Sequence, residues 1–159
     1  MKIFNEKKII FEVREAKKES WKMFSKYHYL SSNLPGGKNF YFGLFLNDKQ
    51  VGFQCFSNYV PHRKGTVKIY HFNRTVVHPD YVGFGLGGII INKTSKIMKE
   101  KGYRIMAKFS SLPVYNSLIK DKDWKYTGAI YDCYKPTGNM KRQKGFRKKV
   151  KCFTFEFRG

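Results

Sequence analysis

Apolar and polar positions divide the chain into short β-branched and aromatic runs separated by three helical stretches. Residues 9–14 read as a first strand. Residues 17–27 read as a helix, with Trp21, Phe24 and His28 on one face at i, i+3 and i+7. Residues 31–37 then break regular structure through Pro35, Gly36 and Gly37. Residues 40–46 and 51–56 form the arms of a predicted hairpin, joined by the polar turn Asn47-Asp48-Lys49-Gln50. A long strand follows over 68–77, with Ile69, Tyr70, Phe72 and Val76 among β-branched neighbours. A helix over 89–98, a strand over 103–109 and a short helix over 112–120 come next, and strands over 124–133 and 151–157 finish the sheet. Neither a repeat nor a linker interrupts the pattern, so residues 1–159 are expected to form one domain with its own core.

Between the long strand and the second helix stands Val82-Gly83-Phe84-Gly85-Leu86-Gly87-Gly88, four glycines in six residues from Gly83. Glycines let backbone N–H groups approach a ligand and accept φ > 0. At a helix N-terminus those donors and the helix dipole suit an anion such as a pyrophosphate. The loop lacks the Gly-Lys-Ser/Thr ending of a P-loop. It also lacks the acidic residue that a dinucleotide fingerprint places after a second strand, since Glu100 falls at the end of the helix.

The segment resembles motif A of the GNAT acyltransferases, in which Gln/Arg-x-x-Gly-x-Gly/Ala follows Val-x-Pro-x-Tyr. Val77-His78-Pro79-Asp80-Tyr81 matches the approach and Gly85-Leu86-Gly87 the glycine core, while Val82 stands where Gln or Arg is usual. The resemblance implies an α/β (α+β) fold, a mixed and mostly antiparallel sheet flanked by helices with a V-shaped CoA cleft. It implies acetyl-CoA or another acyl-CoA as cofactor, with the pyrophosphate on the backbone from Val82 through Gly83, Phe84, Gly85, Leu86 and Gly87 to Gly88. It further implies oxyanion donors on the backbone near Val76 and Val77, and a tyrosine in the helix after the next strand, here Tyr115, as acid for the leaving thiolate.

Charge changes the picture of the partner. The chain has 32 Lys plus Arg against 11 Asp plus Glu, a formal +21, far more than a CoA site uses. From 135 to 151 there are eight basic residues and no acidic one, which reads as a basic loop before the last strand. A run of this kind is a solvated face or a nucleic-acid contact, and the global excess favours the second. Three cysteines without a Cys-x-x-Cys pair and four histidines without metal spacing predict no metal site and a reducing compartment. No apolar run approaches the ~18 residues of a membrane span and the first residues lack signal-peptide features, so the cytoplasm of a phage-infected or bacterial cell is expected.

A second resemblance lies upstream. His28-Tyr29, Leu34-Pro35-Gly36-Gly37-Lys38 and Phe42-Gly43, with Trp124-Lys125-Tyr126-Thr127-Gly128 downstream and Arg74 in the long strand, resemble the phage Mom proteins, GNAT relatives that modify the exocyclic amine of adenine in DNA. Two features depart from that family: the glycine loop is intact, and Phe109-Ser110-Ser111 replaces a Tyr-Ala-Asp triplet. The resemblance implies catalysis by His28, Tyr29 and Arg74, in addition to the Tyr115 implied by the first. Chemistry on that amine needs the base to leave the duplex and stack, on Tyr27, Tyr29, Phe40 or Tyr41, and the basic residues Lys38, Lys141, Arg142, Lys144, Arg147, Lys148 and Lys149 are expected to hold the DNA. The leading expectation is therefore transfer to the adenine N6 amine. The rivals are an N-acetyltransferase of protein or small-molecule amines, and a nucleic-acid-binding module of the same fold.

Overall fold

Asn47 and Asp48 both adopt left-handed backbone, at φ 45° and 68°, and set the first strand pairing. Two polar residues with φ > 0 make the two-residue turn whose twist matches a hairpin, so the predicted four-residue turn shortens and its last two residues join a strand. The computed structural model describes residues 10–28, 33–58, 66–133 and 149–159. Its strands are β1 (Phe11–Glu15), β2 (Asn39–Leu46), β3 (Lys49–Ser57), β4 (Ile69–Val77), β5 (Arg104–Phe109), β6 (Trp124–Cys133) and β7 (Lys149–Phe157). They form one sheet in the order β1-β2-β3-β4-β5-β7-β6. Every pairing is antiparallel except β4 with β5.

Helix α2 (Leu86–Glu100) covers one face, turning Leu86, Ile90, Ile91 and Met98 inward against Phe42, Leu44, Phe56, Tyr70 and Phe72. It begins three residues before its predicted start, with Gly85, at φ 71°, as its N-cap. The other face is covered by Trp21 and Phe24, which meet Phe53, Cys55 and Val76. The predicted helix over 17–27 is broken there into a 3-10 turn (Lys18–Ser20), one α turn, α1 (Trp21–Phe24), and a second 3-10 turn (Ser25–Tyr27). The Ser20 and Ser25 hydroxyls donate to the carbonyls of Lys17 and Lys22, competing with the regular ladder. The predicted face survives, with the His28 ring 5.8 Å from that of Trp21. A short helix, α3 (Leu112–Leu118), is capped by the Ser111 hydroxyl, which accepts from the Val114 N–H.

The sheet opens at a bulge in β4. Phe53 pairs with Val76 but Cys55 pairs with Asn73, so Gln54 alone faces both Arg74 and Thr75. Arg74 takes φ 49°, and the extra residue reverses the alternation of faces. Phe72 packs in the α2 cluster and Val76, four residues on, in the α1 cluster. The bulge also ends the pairing with β5. Ile69, Tyr70 and His71 pair with Arg104, Ile105 and Met106, and beyond them the two strands diverge.

On its other edge β5 is tied to β7. The Arg104 guanidinium donates from Nε and Nη2 to the two carboxylate oxygens of Glu156, at 2.5 and 3.1 Å, and Arg158 adds a contact at 2.7 Å. The hydrogen bonds from Arg104 outweigh burial and hold the Glu156 carboxyl below its usual range. A depressed folded-state pKa contributes stability that is complete above the unfolded value and lost as pH falls through the folded one. Glu156→Gln should therefore cost about 1–3 kcal/mol at neutral pH. The gap to the parent should close as pH drops below about 4, as measured by denaturant unfolding across pH.

Candidate active site

The divergence of β4 from β5 leaves a cleft of about 860 Å³. Its walls are Asn73, Arg74, Thr75 and Val77 of β4, Lys108 and Phe109 of β5, and the inward face of α3. Its mouth is the loop from Val82 to Gly88, and His28 and Cys152 also reach it. The rings of Phe72 and Phe109 stack at 6.0 Å on its lining.

The loop has the form of an anion cradle. Gly83 and Gly85 need glycine for their backbone, at φ 97° and 71°. Gly87 and Gly88 do not: both lie in the first turn of α2, and a Cβ built on either meets no atom within 4 Å. Neither strain nor packing within the protein explains them, whereas a ligand lying on the helix end does. The Gly88 and Ile89 N–H groups bond back to the Gly85 carbonyl. Among the described residues, the N–H groups of Gly83, Phe84, Gly85, Leu86 and Gly87 have no backbone acceptor. Those donors and the positive end of a fifteen-residue helix fit a diphosphate. Val82, 67% exposed, adds no side-chain donor. Phe84 is exposed and does not line the cleft.

Ladder alternation separates the two expected oxyanion donors. The His78 N–H bonds to the Val51 carbonyl at 2.8 Å. With Gly52 opposite Val77 and Phe53 opposite Val76, the Val76 N–H belongs to the bonded pair and the Val77 N–H faces away from β3. Val77 lines the cleft, while the Val76 side chain is buried behind it. Only Val77 offers its N–H to the cleft.

The structure brings His28 and Arg74 into one cleft and leaves other expected residues out of it. Tyr115 packs on Phe153 at 4.4 Å between ring centres, and on Phe155 and Tyr126. Pro113, Val114, Ser117 and Leu118 are the α3 residues that line the cleft; the helical turn that aims them there turns Tyr115 onto β7. Tyr27 pairs with His78, Oη to Nε2 at 3.3 Å. Phe40 packs on Tyr70 and Tyr103, and Tyr41 on Phe53. None of these three lines the cleft, so none receives a planar group there; Phe72, Phe109 and Tyr81 are the aromatic rings that do line it. Lys38 is exposed outside it. Leu34 packs on the α1 cluster and Gly37 takes φ 89°, which gives those two residues structural work. Tyr29, Lys141, Arg142, Lys144, Arg147 and Lys148 lie outside the described residues, and Lys149 opens β7.

Sequence reasoning missed Lys108, Ser117, Cys152 and Gln54. A polar Gln54 in the apolar run Val51 to Phe56 was the one available signal. Gln54 is fully buried. Its Oε1 accepts from the Thr75 hydroxyl at 2.6 Å, and its Nε2 donates to the Cys55 carbonyl at 3.0 Å and more weakly to that of Asn73 at 3.4 Å. The cleft is electropositive. Arg74 and Lys108 line it, and no Asp or Glu does among the described residues. Burial, then the Lys108 charge, lowers the pKa of the neighbouring His71 and keeps it neutral.

Gly87→Ala should stabilise α2 by up to about 1 kcal/mol, the difference in helix propensity, yet weaken CoA binding by filling the cradle; melting curves and calorimetry together check both signs. The thiols of Cys55 and Cys152 should differ in reactivity. Burial pushes the Cys55 thiol up to about 11, so it should resist alkylation. Cys152 should be labelled, and CoA should slow the labelling, as followed by peptide mass spectrometry.

No curated protein matches the sequence. Among solved structures, the Arabidopsis thaliana NAA60 in complex with acetyl-CoA is similar, with a TM-score of 0.66 at 11% identity over 93% of this chain and 98% of that one. The ribosomal-protein-S18-alanine N-acetyltransferase of Escherichia coli has a TM-score of 0.65 at 12% identity, over 93% of each chain. An N-acetyltransferase of Staphylococcus aureus Mu50 has a TM-score of 0.65 at 16% identity, over 94% of this chain and 98% of that one. Residues 2–118 match the acetyltransferase (GNAT) family, and the chain therefore belongs to the GNAT acetyltransferases, whose cofactor is acetyl-CoA or another acyl-CoA.

Proposed function

We propose that this protein transfers the acetyl group of acetyl-CoA to an amine of a protein or small-molecule acceptor, with the chemistry run in the cleft between β4 and β5. The observation that carries the reading is the open cradle at Gly87 and Gly88, continuous with a cleft that contains His28. Acetyl-CoA supplies an activated thioester. The loop from Val82 to Gly88 holds the diphosphate through backbone N–H groups. The Val77 N–H donates to the oxygen on which negative charge develops. His28 accepts the proton that the attacking amine gives up, being the one imidazole on the described lining. With Tyr115 turned onto β7, Ser117 is the α3 hydroxyl left to hydrogen-bond the departing sulfur.

The charge of the cleft acts on the acceptor. Arg74 and Lys108 disfavour a further positive charge between them, so an amine entering there is biased toward its neutral, nucleophilic form. The same field repels polycationic acceptors. The Escherichia coli neighbour is by its name an enzyme of a protein alanine, which supports the protein arm of the reading.

A second reading, the exocyclic amine of a nucleic-acid base and of adenine in phage DNA in particular, is favoured by the net charge of +21 and by the upstream likeness to Mom proteins. In that reading the basic residues of 135–151 meet phosphates. Purified protein incubated with acetyl-CoA should acetylate peptide or small-molecule amines, as detected by mass spectrometry. His28→Ala should lower kcat about 10²–10⁴-fold with CoA affinity unchanged. Unmodified amines, together with an acetylated nucleoside in DNA from expressing cells, would transfer the assignment to the second reading.

A further inference from the structure

The left-handed backbone of Arg74 is imposed by the bulge opposite Gln54. A non-glycine residue at φ 49° costs about 1–2 kcal/mol, and strain of this kind persists where the surroundings over-determine it. The surroundings here are specific. Gln54, fully buried, grips both sides of the strained residue through the Asn73 carbonyl and the Thr75 hydroxyl. The guanidinium is fixed in turn, with Nε donating to the Asn33 carbonyl at 3.0 Å and Nη1 to the Asn73 side-chain oxygen at 2.8 Å. Both partners are neutral. Among the described residues Arg74 has no carboxylate partner, and the Nη2 nitrogen has no hydrogen-bond partner. A rigid, uncompensated guanidinium therefore lines a cleft that holds no acidic residue among those described.

Its place along the strand decides what it can meet. At about 3.3 Å per residue, Arg74 lies about 10 Å from Val77, away from the glycine loop. That distance separates it from the cradle for the CoA diphosphate and puts it at the acceptor end. We propose that Arg74 is the specificity-determining residue of the acceptor site, and that the acceptor is an amine carrying its own carboxylate or phosphate, which the guanidinium binds. The inference rests on the acetyltransferase reading above and names its substrate class. Arg74 is here a binding residue: it takes no proton, and Gln54 is the positioning residue that holds it.

The test compares amines that differ only in an anionic group: phenylalanine against phenylalaninamide, and O-phosphoethanolamine against ethanolamine. The parent protein should prefer the anionic member of at least one pair by roughly ten- to a hundredfold in kcat/KM, the value of a charged hydrogen bond. The pair that discriminates identifies carboxylate or phosphate as the source. Arg74→Gly should erase the preference without raising KM for acetyl-CoA. Because glycine adopts φ > 0 without penalty, that variant should melt no lower than the parent, so loss of selectivity is not loss of fold. Arg74→Lys should keep part of the preference.

Calorimetry of O-phosphoethanolamine and phenylalanine with the CoA-saturated protein gives a readout independent of turnover. Binding that disappears in Arg74→Gly supports the assignment. Equal kcat/KM within both pairs, selectivity unchanged in Arg74→Gly, or a raised acetyl-CoA KM in that variant would each overturn it. Failure of CoA itself to bind would instead remove the acetyltransferase reading beneath it.

Discussion

The side-chain amide of Gln54 sits inside the β3–β4 ladder, with its oxygen on Thr75 and its nitrogen on the Cys55 and Asn73 carbonyls. A buried amide with unmet donors or an unmet acceptor costs about 1–3 kcal/mol, and an unbroken ladder offers no room for two residues opposite one. The bulge and the amide therefore require each other. From the bulge follow the reversed faces of Phe72 and Val76, the divergence of β4 from β5 after three paired residues, and the placing of Arg74. A straight β4 would continue its pairing with β5 and close the space in which the reaction is proposed to run.

The two ends of that space are built by different means. At the glycine loop, the donors are backbone N–H groups and a helix terminus, which bind an anion through fixed dipoles and need no charged side chain. At the bulge, a formal charge is held in place by two neutral oxygens. The division lets one cleft take two anionic groups by two different means. Among the described residues it also leaves the middle, at Val77 and His28, without carboxylates that would stabilise an ammonium ion.

The β-branched and aromatic runs, the Asn-Asp turn and the glycine loop followed by a helix were legible because each is a local code: side-chain alternation, left-handed tolerance and backbone access are decided within a few residues. Residues 2–118 carry enough of that code to match the family. The helix over 17–27 was misread in its regularity, since hydroxyls that bond back to Lys17 and Lys22 do not alter the apolar period. The role expected of Tyr115 rested on its being somewhere in α3, and a seven-residue helix has room for faces that point to different strands.

By itself, then, the sequence determined the fold, the cofactor loop and the excess of positive charge, because these depend on residue type and short-range order. Tertiary structure alone decided which residues share the cleft. His28, Arg74, Lys108, Ser117 and Cys152 come from five separate elements or their ends, and nothing local couples them. Their meeting depends on how far β4 leans from β5, and that angle is set by one extra residue opposite Gln54, a long-range pairing that no periodicity along the chain records.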